Sequence, residues 1–281
     1  MESNLLSVLE HGTETVESRR NALALVGRLS AGAILSMLPF AAAEEARAQA
    51  AGADDVDILN FALTLEFLDG LFYAQGLATP GLIPESDRPL WTRIVANETG
   101  HRAALTATIT ALVGAIEDDT RTPVVFDVDD FNYSALGFDP FSSYELFTLL
   151  SQGFEDLGQR AYKGQAPFLT SDAVLTAALN IHSVEARHAA AIRKIRGLQG
   201  WIPADGTDVG DAPIRMIYQG GQTRNGVTDP SPSDDNVTQG GVTISATDRY
   251  TLVQIQEAFD EPLEAATVKN IADPFVIPPL D

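Results

Sequence analysis

Two tetrapeptides of the form Glu-x-x-His constrain this chain more than anything else in it: Glu98-Thr99-Gly100-His101 and Glu185-Ala186-Arg187-His188. On a helix, residues three apart share a face, so each pair can turn a carboxylate and an imidazole toward one point. Each pair also follows a lone glutamate set among apolar residues. Glu66 lies between Leu65 and Phe67, 32 positions before Glu98, and Glu155 follows Phe154, 30 positions before Glu185. Tyr73 trails Glu66 by seven residues, and Tyr162 trails Glu155 by seven. The chain therefore runs one plan twice.

The surrounding residues read as four helices. Ile58, Leu59, Ala62, Leu65, Phe72 and Tyr73 keep a helical period, which predicts a first helix over 55–77, ended by Pro80-Gly81. A second is expected over 85–116, with Ser86 or Asp87 as cap and Pro89 in its first turn. The third is expected over 142–162 with Lys163-Gly164 as its stop. The fourth is expected over 171–199, capped by Ser171 or Asp172 and stopped by Gly200. Short links make two antiparallel hairpins, and a link of about 25 residues, 117–141, joins them. The expected fold class is all-α, a ferritin-like four-helix bundle with one long crossover between helices two and three. The bundle should occupy 51–200. Residues 201–281 should form a loop-rich extension, with 220–241 exposed and a helical stretch near 247–270 docking on the bundle.

Glu66, Glu98, His101, Glu155, Glu185 and His188 are then the candidate metal ligands, drawn from all four helices. Four carboxylates can balance two divalent cations. Without cations they would repel one another and be costly to bury, so some would have to hold protons. Oxygen and imidazole donors suit iron or manganese and admit zinc. The alternative is a bundle with solvated glutamates and core histidines, which has to explain the apolar flanks of Glu66 and Glu155. Asp69 could orient a ligating histidine or sit on a solvated face. Tyr73 and Tyr162 are expected mainly to pack the core; relaying electrons or hydrogen-bonding to ligands is the alternative. His182 points to another face than His188, and Glu145 lies about 15 Å along its helix from Glu155, too far to share the site.

Composition removes several other functions. The net charge of −21, from 39 acidic and 18 basic residues, repels nucleic acid and anionic lipid but attracts cations. Solubility or a salty environment would explain the same acidity. Cysteine is absent, which excludes thiol catalysis, disulfides and cysteine-held metal. Before the bundle, residues 1–50 combine a polar head, Arg19-Arg20, an apolar stretch over 29–43 and A-x-A sequences at 41–43, 46–48 and 48–50. This order resembles a twin-arginine export signal, interrupted by Arg28 and lacking a bulky residue at Ala22. It predicts a periplasmic or cell-envelope protein with no membrane span after cleavage. An amphipathic N-terminal helix on a cytoplasmic protein is the alternative.

The stretches DVDILNFALTLEFLDGLFY, NETGHRAAL, GFEDLGQRAYKGQAP, HSVEARHAAAIR and FDEPLEAATVKNIADPFV carry a family likeness. They resemble the ferritin-like domain family of exported bacterial proteins, some described as desiccation-related. The resemblance implies a di-metal carboxylate bundle. The ligand pattern also looks like that of rubrerythrins and manganese catalases, which differ in whether dioxygen or peroxide reacts, but the cysteine-held iron module of rubrerythrins is missing. Two functions are compatible with this: a di-iron or di-manganese oxidoreductase acting on dioxygen or peroxide, and a non-catalytic, metal-stabilised stress or desiccation protein. A homo-oligomer is compatible with the sequence. A closed storage cage fits poorly, because its shell would have to accommodate the tail.

Overall fold

The computed structural model describes residues 55–210, 212–218, 223–224, 227–228, 234–239 and 241–277. The expected export signal lies outside them. Four long helices dominate: α1 (Asp55–Ala78), α2 (Arg88–Gly114), α3 (Tyr144–Gln165) and α4 (Asp172–Ile195). Two short helices follow, α5 (Leu252–Gln256) and α6 (Ala265–Ala272). Two-residue hairpins pair Thr223 with Thr228 and Thr238 with Thr243. No described helix is long and apolar enough to cross a membrane.

The helix ends follow local chemistry. Ser143 and Ser171 cap α3 and α4 by accepting from the amides of Leu146 and Val174. Asp87 occupies the cap position of α2 without bonding a helix amide; its carboxylate instead accepts from the Tyr144 hydroxyl at 2.8 Å, tying α2 to α3. Helix α4 stops earlier than expected, at Gly197 rather than Gly200. Gly197 takes φ +75°, and the Gly197 and Leu198 amides donate to the Lys194 and Arg193 carbonyls, a paired closure that favours glycine. The expected stop at Gly164 fails, since α3 runs on to Gln165.

The four helices enclose two apolar cores. The larger holds Phe72, Tyr73, Trp91, Phe147 and Phe154, with Phe72 and Phe147 stacked 4.9 Å apart. The smaller holds Val56, Leu59, Leu63, Leu105, Ile109, Tyr162 and Val174. At its end Asp55 accepts from the amides of Thr170 and Ser171, joining the starts of α1 and α4. The crossover is pinned rather than loose. Tyr133 donates to the Leu68 carbonyl, Asn132 N–H donates to the Phe275 carbonyl, and Ile277 N–H donates to the Asp130 carbonyl.

The extension is bound to α3 and α4 by buried ionic contacts. Arg160 is fully buried and donates to the carbonyls of Glu261 and Ile217, with Asp234 Oδ1 3.6 Å away. Asp234 is 1% exposed, which corrects the expectation that 220–241 is wholly solvent-facing: a buried arginine needs a counter-charge, and this loop supplies one. Arg193 pairs with Asp156 and Asp208, and the Tyr218 hydroxyl donates to Asp156 at 2.5 Å.

Gly164 shows how closely the tail lies. A Cβ there would fall 1.8 Å from the Leu263 carbonyl oxygen. Gly164→Ala gains about 0.5–1 kcal/mol of helix preference, but the overlap with backbone costs about 1–3 kcal/mol or more. The variant should melt at a lower temperature and lose its tail to limited proteolysis before the bundle is cut. A tail as resistant as in the wild type would show that the segment around Leu263 does not depend on this contact.

Candidate metal centre

Between the two cores lies a polar layer. Glu66 comes from α1, Glu98 and His101 from α2, Glu155 from α3, and Glu185 and His188 from α4. All six are buried: the glutamates are 0–2% exposed and the histidines 9% and 6%. The solvated-glutamate alternative is thereby removed. The helices come close here because α1 carries Gly70, where a Cβ would strike Arg102 Nη1 at 2.0 Å and reach Glu98 Cβ at 3.0 Å.

The donor atoms form two overlapping groups. Those of Glu66, Glu98, His101 and Glu185 lie within 4.8 Å of one another, and so do those of Glu98, Glu155, Glu185 and His188. Glu98 and Glu185 are common to both. His101 Nδ1 stands 3.2 Å from Glu66 Oε2, 3.1 Å from Glu98 Oε2 and 3.1 Å from Glu185 Oε1. His188 Nδ1 stands 2.8 Å from Glu98 Oε1 and 3.5 Å from Glu155 Oε2. Glu98 thus turns one oxygen to each histidine, as a carboxylate bridging two cations would.

Hydrogen bonding alone does not satisfy this layer. One imidazole N–H cannot serve three carboxylates. Glu98 Oε1, both Glu155 oxygens, Glu185 Oε1 and His188 Nδ1 are buried without a hydrogen-bond partner of acceptable geometry. Such groups are rare in native proteins and call for an explanation. Hard oxygen donors and imidazole nitrogens converging on two shared points fit a pair of divalent cations.

The neighbours sort the roles further. His188 Nε2 donates to Asn97 Oδ1 at 3.1 Å, which leaves Nδ1 of the neutral ring free to offer its lone pair inward. The Tyr162 hydroxyl donates to Glu66 Oε1 at 2.6 Å, so this tyrosine holds a candidate ligand besides packing the core. Tyr73 stays in the aromatic core; its hydroxyl lies 3.5 Å from the Ser151 carbonyl and close to the Glu155 carboxylate. Asp69 is buried rather than solvated, yet it bonds neither histidine. Sequence reasoning overlooked Asn97, which sits one residue before Glu98 and has no signature of its own. His182 belongs to neither group.

Residues 54–198 match the profile of a family described as Ferritin-like domain. The chain belongs to the ferritin-like domain family. No curated protein and no solved structure matches it. In this ferritin-like protein the buried Glu/His layer occupies the matched region, and its residues could hold metal ions.

Electrostatics set what such ions must displace. Burial raises Glu66 to about 8 against the lowering by His101, and burial beside the other glutamates raises Glu185 well above its usual range. Glu98 behaves oppositely: burial would raise it, but the imidazolium groups of His101 and His188 close beside it bring it to about 2. Burial disfavours both imidazolium ions, yet the surrounding carboxylates outweigh it, lifting His101 to about 12 and His188 to about 10. At pH 7 the metal-free layer therefore stores protons on Glu66, His101 and His188, and the raised Glu185 is biased the same way.

Stability of the metal-free protein should follow. The raised glutamate binds protons when folded and loses them when unfolded near 4.5, so folding weakens as pH rises from about 4.5 to 8. The raised histidines stabilise fully below 6.5, and this is lost as pH climbs through 10 and 12. Metal binding has the reverse dependence, because protons compete with it. The melting temperature of the metal-free protein should fall between pH 6 and 9 on this basis, while the gain on adding metal should grow. Adding metal in weak buffer at pH 7 should release protons, read by a pH indicator. Release of none would show that the layer does not exchange protons for metal.

Proposed function

We propose that the protein is a di-iron or di-manganese oxidoreductase of the cell envelope, acting on dioxygen or peroxide. The observation that carries this reading is the pair of buried donor groups sharing Glu98 and Glu185, with unpartnered oxygens and nitrogen facing the shared points. Glu66 and His101 would end one site and Glu155 and His188 the other. When bound, two such ions supply Lewis acidity and a two-electron redox reserve.

The chain's own residues prepare the site. Tyr162 fixes one oxygen of Glu66 and leaves the other toward His101. Asn97 sets the His188 tautomer. The two apolar cores exclude bulk water from both ends, which strengthens every charge interaction between them. The envelope location is supported by the Arg19-Arg20 segment and the A-x-A sequences after it. The family match supports metal binding at the coarser level.

Elemental analysis of protein from its own source should find about two iron or manganese ions per chain. The metal-loaded protein should consume dioxygen or hydrogen peroxide. Glu185→Ala, which removes a shared ligand, should lower metal content and abolish turnover, and it should also erase the metal-dependent rise in melting temperature. Full metal content without turnover on either oxidant would leave the protective, non-catalytic reading in its place.

A further inference from the structure

The two cores flanking the polar layer are not equally filled. A cavity of about 20 Å³, on the scale of a single small molecule, lies in the smaller one where Leu65 and Ala161 of the larger meet it, against about 10 Å³ within the larger. Three alanines from three helices, Ala62, Ala161 and Ala178, leave this room, and Leu65, Leu169 and Tyr162 help to close it. The lining runs from half-buried Leu169 to buried Tyr162. It ends beside the candidate centre: Tyr162 bonds Glu66, and Ala62 and Leu65 precede Glu66 by one turn and by one residue.

Its chemistry selects among small molecules. The walls are almost entirely carbon, and the Tyr162 hydroxyl already donates to Glu66. Gln165 Nε2 is the one lining donor that is buried without a partner. A buried water needs two to four polar partners. Hydrogen peroxide, with two donors and two oxygens, has the same need. With Gln165 Nε2 as the one free donor among carbon walls, the cavity falls short of that need. An apolar diatomic loses no hydrogen bonds on entering, and dry apolar cavities of this kind take up inert gases.

We infer that this cavity is the entry pocket for dioxygen, delivering it to the Glu66 side of the carboxylate–histidine layer. The inference rests on the metal-centre reading above and narrows its substrate. Dioxygen would arrive through the smaller core, whereas peroxide would have to reach the layer by another path.

Crystals pressurised with xenon test the cavity independently of any metal. Xenon should occupy the space among Ala62, Ala161 and Ala178. Ala178→Leu should exclude it, and Ala178→Val, a smaller intrusion that keeps the test open if the larger one misfolds, should reduce its occupancy. In ferrous-loaded protein the same substitutions should slow oxidation by dioxygen several-fold, with Leu exceeding Val. Metal stoichiometry and the rate with hydrogen peroxide should be unchanged. Absence of xenon from the wild-type cavity overturns the inference, as does equal slowing with both oxidants. A wild type that takes up xenon but binds no metal overturns the metal-centre reading instead, and the delivery role with it.

Discussion

Burying acidic side chains in the middle of a helical bundle is the constraint around which this molecule is built. Four glutamates and Asp69 lie in one layer with almost no solvent. An isolated ionised carboxylate in such surroundings is far too costly to keep, so it must be neutralised by a proton, a cationic neighbour or a metal. In the metal-free layer protons and imidazolium ions perform this task. Glu98 is held ionised, between two histidines. The remaining donors are close to one another but poorly aligned for hydrogen bonds. A layer arranged only for stability would be better made of leucine, since well-packed apolar groups often replace buried ions without loss. The arrangement therefore makes sense as a binding site, with the two apolar cores serving as its walls.

The same constraint explains why the extension clings to the bundle. Arg160 and Arg193 are buried on α3 and α4, and neither could remain there without acceptors. Those acceptors come in large part from the tail: the Glu261 and Ile217 carbonyls, Asp234 and Asp208. Asp156, next to the ligand candidate Glu155, completes the Arg193 pair. The tail thus braces the helices that carry half the site, and α3 is a shared wall between the polar layer and the extension.

Much of this was legible in the sequence because periodicity and spacing encode it directly. A carboxylate and an imidazole three residues apart must share a helix face, and repetition of the unit on a second helix, with a lone glutamate on each of the other two, implies one meeting point. The two hairpins and the crossover followed from link lengths. What stayed hidden depends on contacts between distant segments. Asn97 has no pattern that distinguishes it from a surface amide until His188 is placed 3.1 Å away. Core packing is the reading the sequence favours for Tyr162 over a bond to a ligand, because periodicity places it on the inner face without saying what its hydroxyl meets. Asp234 sits in a polar loop whose composition suggests exposure, and only the buried guanidinium of Arg160 accounts for its position. Helix ends were misplaced at Gly164 and Gly200, because a glycine's mere presence does not show whether it ends a helix or makes room for a neighbour.

The internal repeat also conceals an inequality. Both halves place a tyrosine two turns after the lone glutamate, yet only Tyr162 bonds its layer tightly, to Glu66 at 2.6 Å. Tyr73 is wedged against Trp91 and Phe72, with ring centroids 5.4 and 5.7 Å away, and its hydroxyl is divided between a carbonyl at 3.5 Å and the Glu155 carboxylate. Three residues after each lone glutamate the halves differ again: Asp69 in the first, Gly158 in the second. A Cβ on Gly158 would lie 3.5 Å from Glu185 Oε2 and 3.7 Å from Asp69 Oδ2, so the side chain missing from one half leaves room beside the carboxylate present in the other. The layer is consequently closed by dense aromatic packing at one end and by alanine-lined space at the other. A duplicated ligand plan supplies two overlapping donor groups. The divergence around it determines how the two sides of the layer can be approached, and that is where a symmetric fold becomes a directional site.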